Sequence, residues 1–186
     1  MNAPLGVLLM AYGTPDELSD VEAYFTDIRG GRPPSARAVA ELQERYRRIG
    51  GRSPLKEITW RQAQALEVEL NHPPALSEPV KVYVGMKHWH PGIEEALATM
   101  ARDGVEEGVA LILAPQASRL SSATYMEKVS ASRAKVAPHL KLYPVESWHL
   151  EPGFIRALVR RIQELARPSS TPLVVTAHSL PERLRT

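Results

Sequence analysis

Val7-Leu8-Leu9-Met10-Ala11-Tyr12-Gly13-Thr14-Pro15 returns near the other end of the chain as Leu173-Val174-Val175-Thr176-Ala177-His178-Ser179-Leu180-Pro181. With Ala11 set on Ala177 and Pro15 on Pro181, Tyr12 falls opposite His178, and Leu18 falls opposite Leu184. Each copy is an apolar strand that delivers a polar side chain, followed by a turn, a proline and a helix start. Open parallel sheets present their chemistry in this way, at the carboxyl ends of the strands. Two copies imply two similar halves facing one cleft, with Tyr12 supplied by the first and His178 by the second. The second half has only begun at Thr186.

Working outward, five apolar segments read as buried parallel strands: residues 7–11, 80–85, 109–113, 140–145 and 173–177. Pro144 cannot donate to a ladder, which suits the fourth of them to an edge or a strand end. Helical spacing fills the intervals at 18–28, 38–49, 60–70, 93–101, 123–136 and 154–165. The alternation predicts an α/β layered fold with helices on both faces of the sheet. Three helical segments fall between the first two strands where one would make the crossover. The excess, at about 29–55, reads as an insertion walling a cleft. Residues 167–172 (Arg-Pro-Ser-Ser-Thr-Pro) read as a linker. The expected organisation is a first domain over 1–166, then linker and the start of a second domain over 167–186.

The 186 residues are 44% hydrophobic and 24% charged, enough for one substantial core and not for two full domains. A net charge of +2 is too small to argue for nucleic acid. The absence of cysteine removes disulfides, thiolate metal sites and thiol nucleophiles. No basic leader opens the chain and no apolar run approaches the ~18 residues that would span a bilayer, so the expectation is a cytoplasmic protein without stable membrane insertion. No glycine-rich phosphate loop follows the first strand, so no nucleotide cofactor is expected.

Candidate chemistry gathers at strand ends and in the insertion. Imidazole at His178 can ligate a metal or move a proton near neutral pH; the alternative is a histidine hydrogen-bonded at a domain seam. A phenol at Tyr12 is either a core ring with a bonded hydroxyl or a ligand to haem-type iron. Arg29, Arg32, Arg45, Tyr46, Arg47, Arg48, Arg52 and Ser53 combine guanidinium and hydroxyl groups that bind carboxylates or phosphates, unless they form a solvated basic face. Arg45 and Tyr46, beside a Gly-Gly turn and Ser53, are the best placed of these, while Arg47 and Arg48 have a phase that aims outward. Lys87-His88-Trp89-His90 follows a strand, and its two alternating histidines read as residues of the cleft mouth rather than a metal centre.

The ordered set Met10–Pro15, Arg45-Tyr46 through Ile49-Gly50-Gly51 to Ser53-Pro54-Leu55, Gly85-Met86-Lys87-His88, Leu113-Ala114-Pro115, Val145-Glu146-Ser147-Trp148 and Ala177-His178-Ser179-Leu180-Pro181 resembles the ferrochelatase family over essentially the whole chain. The resemblance implies two Rossmann-like, chelatase-type domains enclosing a porphyrin, with Fe(2+) and the tetrapyrrole as substrates. It implies that His178 receives iron and helps remove pyrrole protons. Tyr12 is similar to the tyrosine of the coproporphyrin III subclass, which meets the metal from the opposite face. Arg29, Arg45, Tyr46, Ser53 and Tyr125 match that subclass's propionate-holding positions, although Gly30 stands where some relatives carry arginine. The family also draws a glutamate from its second domain, beyond the end of this sequence. The expectation is therefore an incomplete portion of a coproporphyrin III ferrochelatase, inactive in isolation, with a tetrapyrrole and adjacent haem-pathway enzymes as partners. The alternatives are a non-catalytic tetrapyrrole-binding domain or a chelatase for another porphyrin or metal.

Overall fold

The computed structural model describes residues 3–73, 76–117, 122–145, 147–165 and 172–176. Strand β1 (Leu5–Ala11) is followed by a 3-10 turn (Leu18–Asp20), then α1 (Val21–Ile28), α2 (Ala36–Arg48) and α3 (Leu55–Leu70). The alternation continues with β2 (Val80–Met86), α4 (Ile93–Arg102), β3 (Glu107–Ile112), α5 (Ser122–Val136), β4 (Lys141–Val145) and α6 (Pro152–Leu165). The four strands form a parallel sheet in the order β2-β1-β3-β4, a Rossmann-like arrangement. Leu9 of β1 lies beside Val84 on one side and Leu111 on the other.

Continuous apolar character in β1 follows from its central place, because successive side chains enter opposite helical layers. Leu8 and Met10 pack with Ile93, Leu97 and Met100 of α4 and with Tyr125 and Val129 of α5. Leu9 and Ala11 face the other way, against Ala63 and Leu66 of α3 and against Val84 and Met86 of β2. Leu8, Leu9, Met10 and Leu97 are fully buried, each contributing about 1.5–3 kcal/mol of apolar transfer. Both faces of the sheet are thereby fixed, and with them the direction in which its carboxyl edge points. Pro144 lies in the edge strand β4, where its missing N–H interrupts no second ladder.

The three helices expected between β1 and β2 are present. The segment read as one helix over 18–28 opens with the 3-10 turn. Helix α2 begins two residues before its expected start, because the Ser35 hydroxyl accepts from the Ala38 N–H at 3.3 Å and caps it. Helix α3 begins five residues early, with the Ser53 hydroxyl accepting from the Leu55 N–H at 3.2 Å.

The carboxyl-terminal reading needs correction where it can be compared. Residues 172–176 form no strand, and Leu173, Val174 and Val175 are 65%, 80% and 83% exposed. An apolar strand needs a neighbour for its ladder, and none lies beside this segment among the described residues. Ala177, His178 and nearly all of the expected linker lie outside the described residues. Helix α6 carries a stripe of Ile155, Leu158, Val159, Ile162 and Leu165, at the three- and four-residue steps of an amphipathic helix. That stripe is exposed, and α6 has no buried residue. Among the described residues no helix is long and apolar enough to cross a membrane.

Candidate active site at the carboxyl edge of the sheet

Pairing between β1 and β2 runs on past the ends of both strands. The Lys87 N–H donates to the Ala11 carbonyl at 2.9 Å and the His88 N–H to the Tyr12 carbonyl at 3.0 Å. Tyr12 and His88 therefore leave the sheet side by side, with ring centroids 4.6 Å apart and planes tilted by 58°. The chain then turns at Gly13, whose φ of +97° suits glycine. A Cβ there would stand 3.0 Å from the Trp89 nitrogen.

Helices α1 and α2 are both tied to this turn. Tyr24 of α1 donates its hydroxyl to the Gly13 carbonyl at 3.1 Å. The hydroxyls of Tyr46 on α2 and Thr14 are 3.2 Å apart. Aromatic residues distant in sequence are thus collected at the end of β1. Burial raises the Tyr12 phenol above its usual range, and the charge of Asp27 and the neighbouring Tyr46 add to the effect. Tyr125, buried on α5, is raised by burial first and by Tyr12 second. Tyr24 is raised by burial and then by Tyr46. All three are neutral hydroxyls at physiological pH.

Charged groups line the same edge. Asp27 of α1 accepts from His88 Nδ1 at 2.7 Å. Burial lowers the His88 imidazole below its usual range, with Asp27 opposing the shift. Lys87 Nζ donates to Thr124 Oγ1 at 2.5 Å and lies 4.7 Å from the Tyr125 ring centroid. Burial and then the nearby Lys128 lower the Lys87 ammonium. Lys128 donates to the Lys87 carbonyl and comes within 4.0 Å of the Asp27 carboxylate. The edge is consequently polar and cationic on the α5 side.

Of the residues singled out from sequence, Tyr12, Tyr46 and Tyr125 meet here. Arg45 and Tyr46 line a groove of ≈310 Å³ between α1 and α2, together with Tyr24, Phe25, Ile28, Ala38, Glu41 and Leu42. Arg29 stands at the carboxyl end of α1, 5.9 Å from the Phe25 ring centroid, and its Nε donates to the Arg32 carbonyl at 3.2 Å. Ser53 is occupied at the start of α3. Arg47 and Arg48 both pair with Glu44 on the exposed face that their helical phase predicts. His178 lies outside the described residues.

The two histidines after β2 do not share a site. His90 Nδ1 turns to Glu95 at 2.9 Å, while His88 turns to Asp27. No group of three or more histidine, aspartate and glutamate side chains able to hold a metal is found among the described residues. Sequence reasoning missed Asp27 and Lys128. Nothing in the local pattern marks them, because each partner is brought in by the fold.

A family model described as ferrochelatase matches residues 4–186. This chain belongs to the ferrochelatase family. Among its relatives, a ferrochelatase of Thermus thermophilus is 45% identical, over 95% of this chain and 61% of the relative. A ferrochelatase of Deinococcus radiodurans is 41% identical, over 97% of this chain and 58% of the relative. A coproporphyrin III ferrochelatase of Oceanobacillus iheyensis is 43% identical, over 97% of this chain and 59% of the relative. The chain thus spans about three-fifths of the length of these ferrochelatases.

Proposed function

We propose that this chain is the amino-terminal portion of an enzyme that inserts ferrous iron into coproporphyrin III, yielding coproheme in haem biosynthesis. The observation that carries the reading is Tyr12 at the carboxyl end of a central strand, backed by His88 and set among the hydroxyls and cations of the insertion and α5. A phenol there offers an oxygen ligand to iron held in a tetrapyrrole. Residues 1–166 form the first domain and 167–186 lead into a second.

Coproporphyrin brings four propionates, more than a two-propionate porphyrin, and requires correspondingly more anion partners. Arg45 and Tyr46 supply a guanidinium and a hydroxyl to the lining of one groove. Arg29, Ser53 and Tyr125 complete the propionate-binding set in this reading. Guanidinium suits a carboxylate because its paired N–H groups match the two oxygens. Their work is binding and orientation, placing the macrocycle against Tyr12.

The reaction exchanges two pyrrole protons for the metal: Fe(2+) and the free porphyrin give iron porphyrin and two protons. A base near the ring centre is needed, and His178 is assigned that role together with receipt of iron. Tyr12 meets the iron from the other face of the ring. Helix α6 and residues 172–176, with their exposed apolar side chains, are assigned to contact with the second domain. The enzyme acts in the cytoplasm alongside other haem-pathway enzymes.

Metal insertion by the complete polypeptide tests this reading. Iron should enter coproporphyrin III faster than protoporphyrin IX, and His178→Ala should abolish insertion. Equal or reversed substrate preference overturns the subclass. Residues 1–186 alone should show little turnover, and robust activity from them would overturn the need for the second domain.

A further inference from the structure

Asp27 lies on the same face of α1 as Tyr24, one turn earlier in the helix. Tyr24 fixes that face to the sheet edge through its bond to the Gly13 carbonyl. The same face then delivers the Asp27 carboxylate to His88, 61 residues further along the chain. An ionised carboxylate only accepts hydrogen bonds, so Nδ1 of His88 is the donor in this 2.7 Å contact.

The backbone of His88 is already held by its N–H bond to the Tyr12 carbonyl. That bond leaves the imidazole free to rotate, and the bond to Asp27 removes this freedom. The oriented ring is the one that rests against Tyr12 at 4.6 Å. This separation is within the range in which aromatic rings attract and align. Tyr12 itself is 43% exposed, so it has few other walls. Lys128 approaches the same Asp27 oxygen from α5 at 4.0 Å, placing the carboxylate between two elements of the cleft edge.

We infer that Asp27 is a positioning residue, which sets the Tyr12 phenol for the metal through His88. The inference rests on the reading that Tyr12 faces a metallated tetrapyrrole. Placement at this level matters because displacement by about 1 Å at a reacting group can cost on the order of 10²-fold in rate. A tie between α1 and the β2 loop with no effect on Tyr12 is the competing, purely structural role.

Two measurements on Tyr12→Phe, His88→Ala, Asp27→Ala and Asp27→Asn separate these roles. The first follows the Tyr12 ring resonances by NMR in the unligated chain, with far-UV circular dichroism as the check on folding. His88→Ala and Asp27→Ala should shift those resonances, and Asp27→Asn should return them to their wild-type positions, because the amide oxygen still accepts from Nδ1–H. The second titrates ferric coproporphyrin III into the complete polypeptide and reads the tyrosinate-to-iron charge-transfer absorption. Tyr12→Phe should abolish the band, Asp27→Ala should weaken it, and Asp27→Asn should restore it.

Unchanged Tyr12 resonances in a folded Asp27→Ala variant overturn the inference, as does a full-strength band in that variant. A band that survives Tyr12→Phe overturns instead the reading that Tyr12 faces the metal. In that case the unligated spectra still decide whether Asp27 orients the phenol.

Discussion

The Tyr24 hydroxyl donates to the Gly13 carbonyl at 3.1 Å, joining helix α1 to the turn that follows the central strand. Both residues are buried, so removing the hydroxyl leaves a carbonyl without its partner and out of reach of water. Tyr24→Phe should cost about 1–3 kcal/mol in urea unfolding. A loss near zero would show that α1 is held to the sheet by packing alone.

The turn itself makes a sharper demand. Gly13 combines φ of +97° with a Cβ position 3.0 Å from the Trp89 nitrogen, and neither the backbone dihedral nor a backbone atom yields cheaply. Gly13→Ala should destabilise the fold by on the order of 1–3 kcal/mol and displace Tyr12. Gly31→Ala provides the comparison, since its φ is +85° but no atom stands within 4 Å of the added Cβ. Thermal unfolding of both variants checks the expectation. An equal loss at the two sites would mean that conformational strain acts without the clash.

The strands and helices of this fold are legible because burial leaves a simple signature. Residues 7–11 read as a continuous apolar run because Leu8 and Leu9 enter different cores, and Pro144 marks an edge because it lacks a donor. The site is legible only in part. Tyr12 is signalled by its place after a strand, whereas Asp27 belongs to an ordinary helical pattern and gains its meaning from His88, 61 residues away. The alternating histidines of Lys87-His88-Trp89-His90 read as residues of the cleft mouth, and only the fold shows that each has its own carboxylate. The apolar run at 173–177 reads as a strand, but hydrophobicity cannot supply the neighbour that a strand requires. The same limit applies to α6: its spacing reveals a helix and leaves open what covers its apolar side.

That contrast between covered and uncovered apolar faces is measurable. Leu97 of α4 is fully buried, while Leu158 of α6 is 45% exposed. Leu97→Ala should cost about 2–5 kcal/mol through lost burial and a residual cavity. Leu158→Gln should stay within about 0.5 kcal/mol of wild type in residues 1–186, as is usual for surface positions. Chemical denaturation of the two variants is the check. A large loss for Leu158→Gln would reveal that the stripe is already covered in this chain.

Acid should expose the cap of α4. The Gly92 N–H, and then His90, hold the Glu95 carboxyl below its ordinary value of 4.5. Above that value the carboxylate is ionised in both folded and unfolded chains, and its stabilising contribution is fully present. As the pH falls below 4.5, the unfolded chain takes up the proton first, so the contribution declines and is lost on passing the lower folded value. The stability advantage of wild type over Glu95→Gln should therefore be present at about pH 5 and shrink below it. Its size should be modest and reduced by salt, because Glu95 is largely exposed. Urea unfolding of both proteins across this range decides the point: parallel stability curves down to acid pH would show that the Gly92 and His90 bonds contribute nothing to folding.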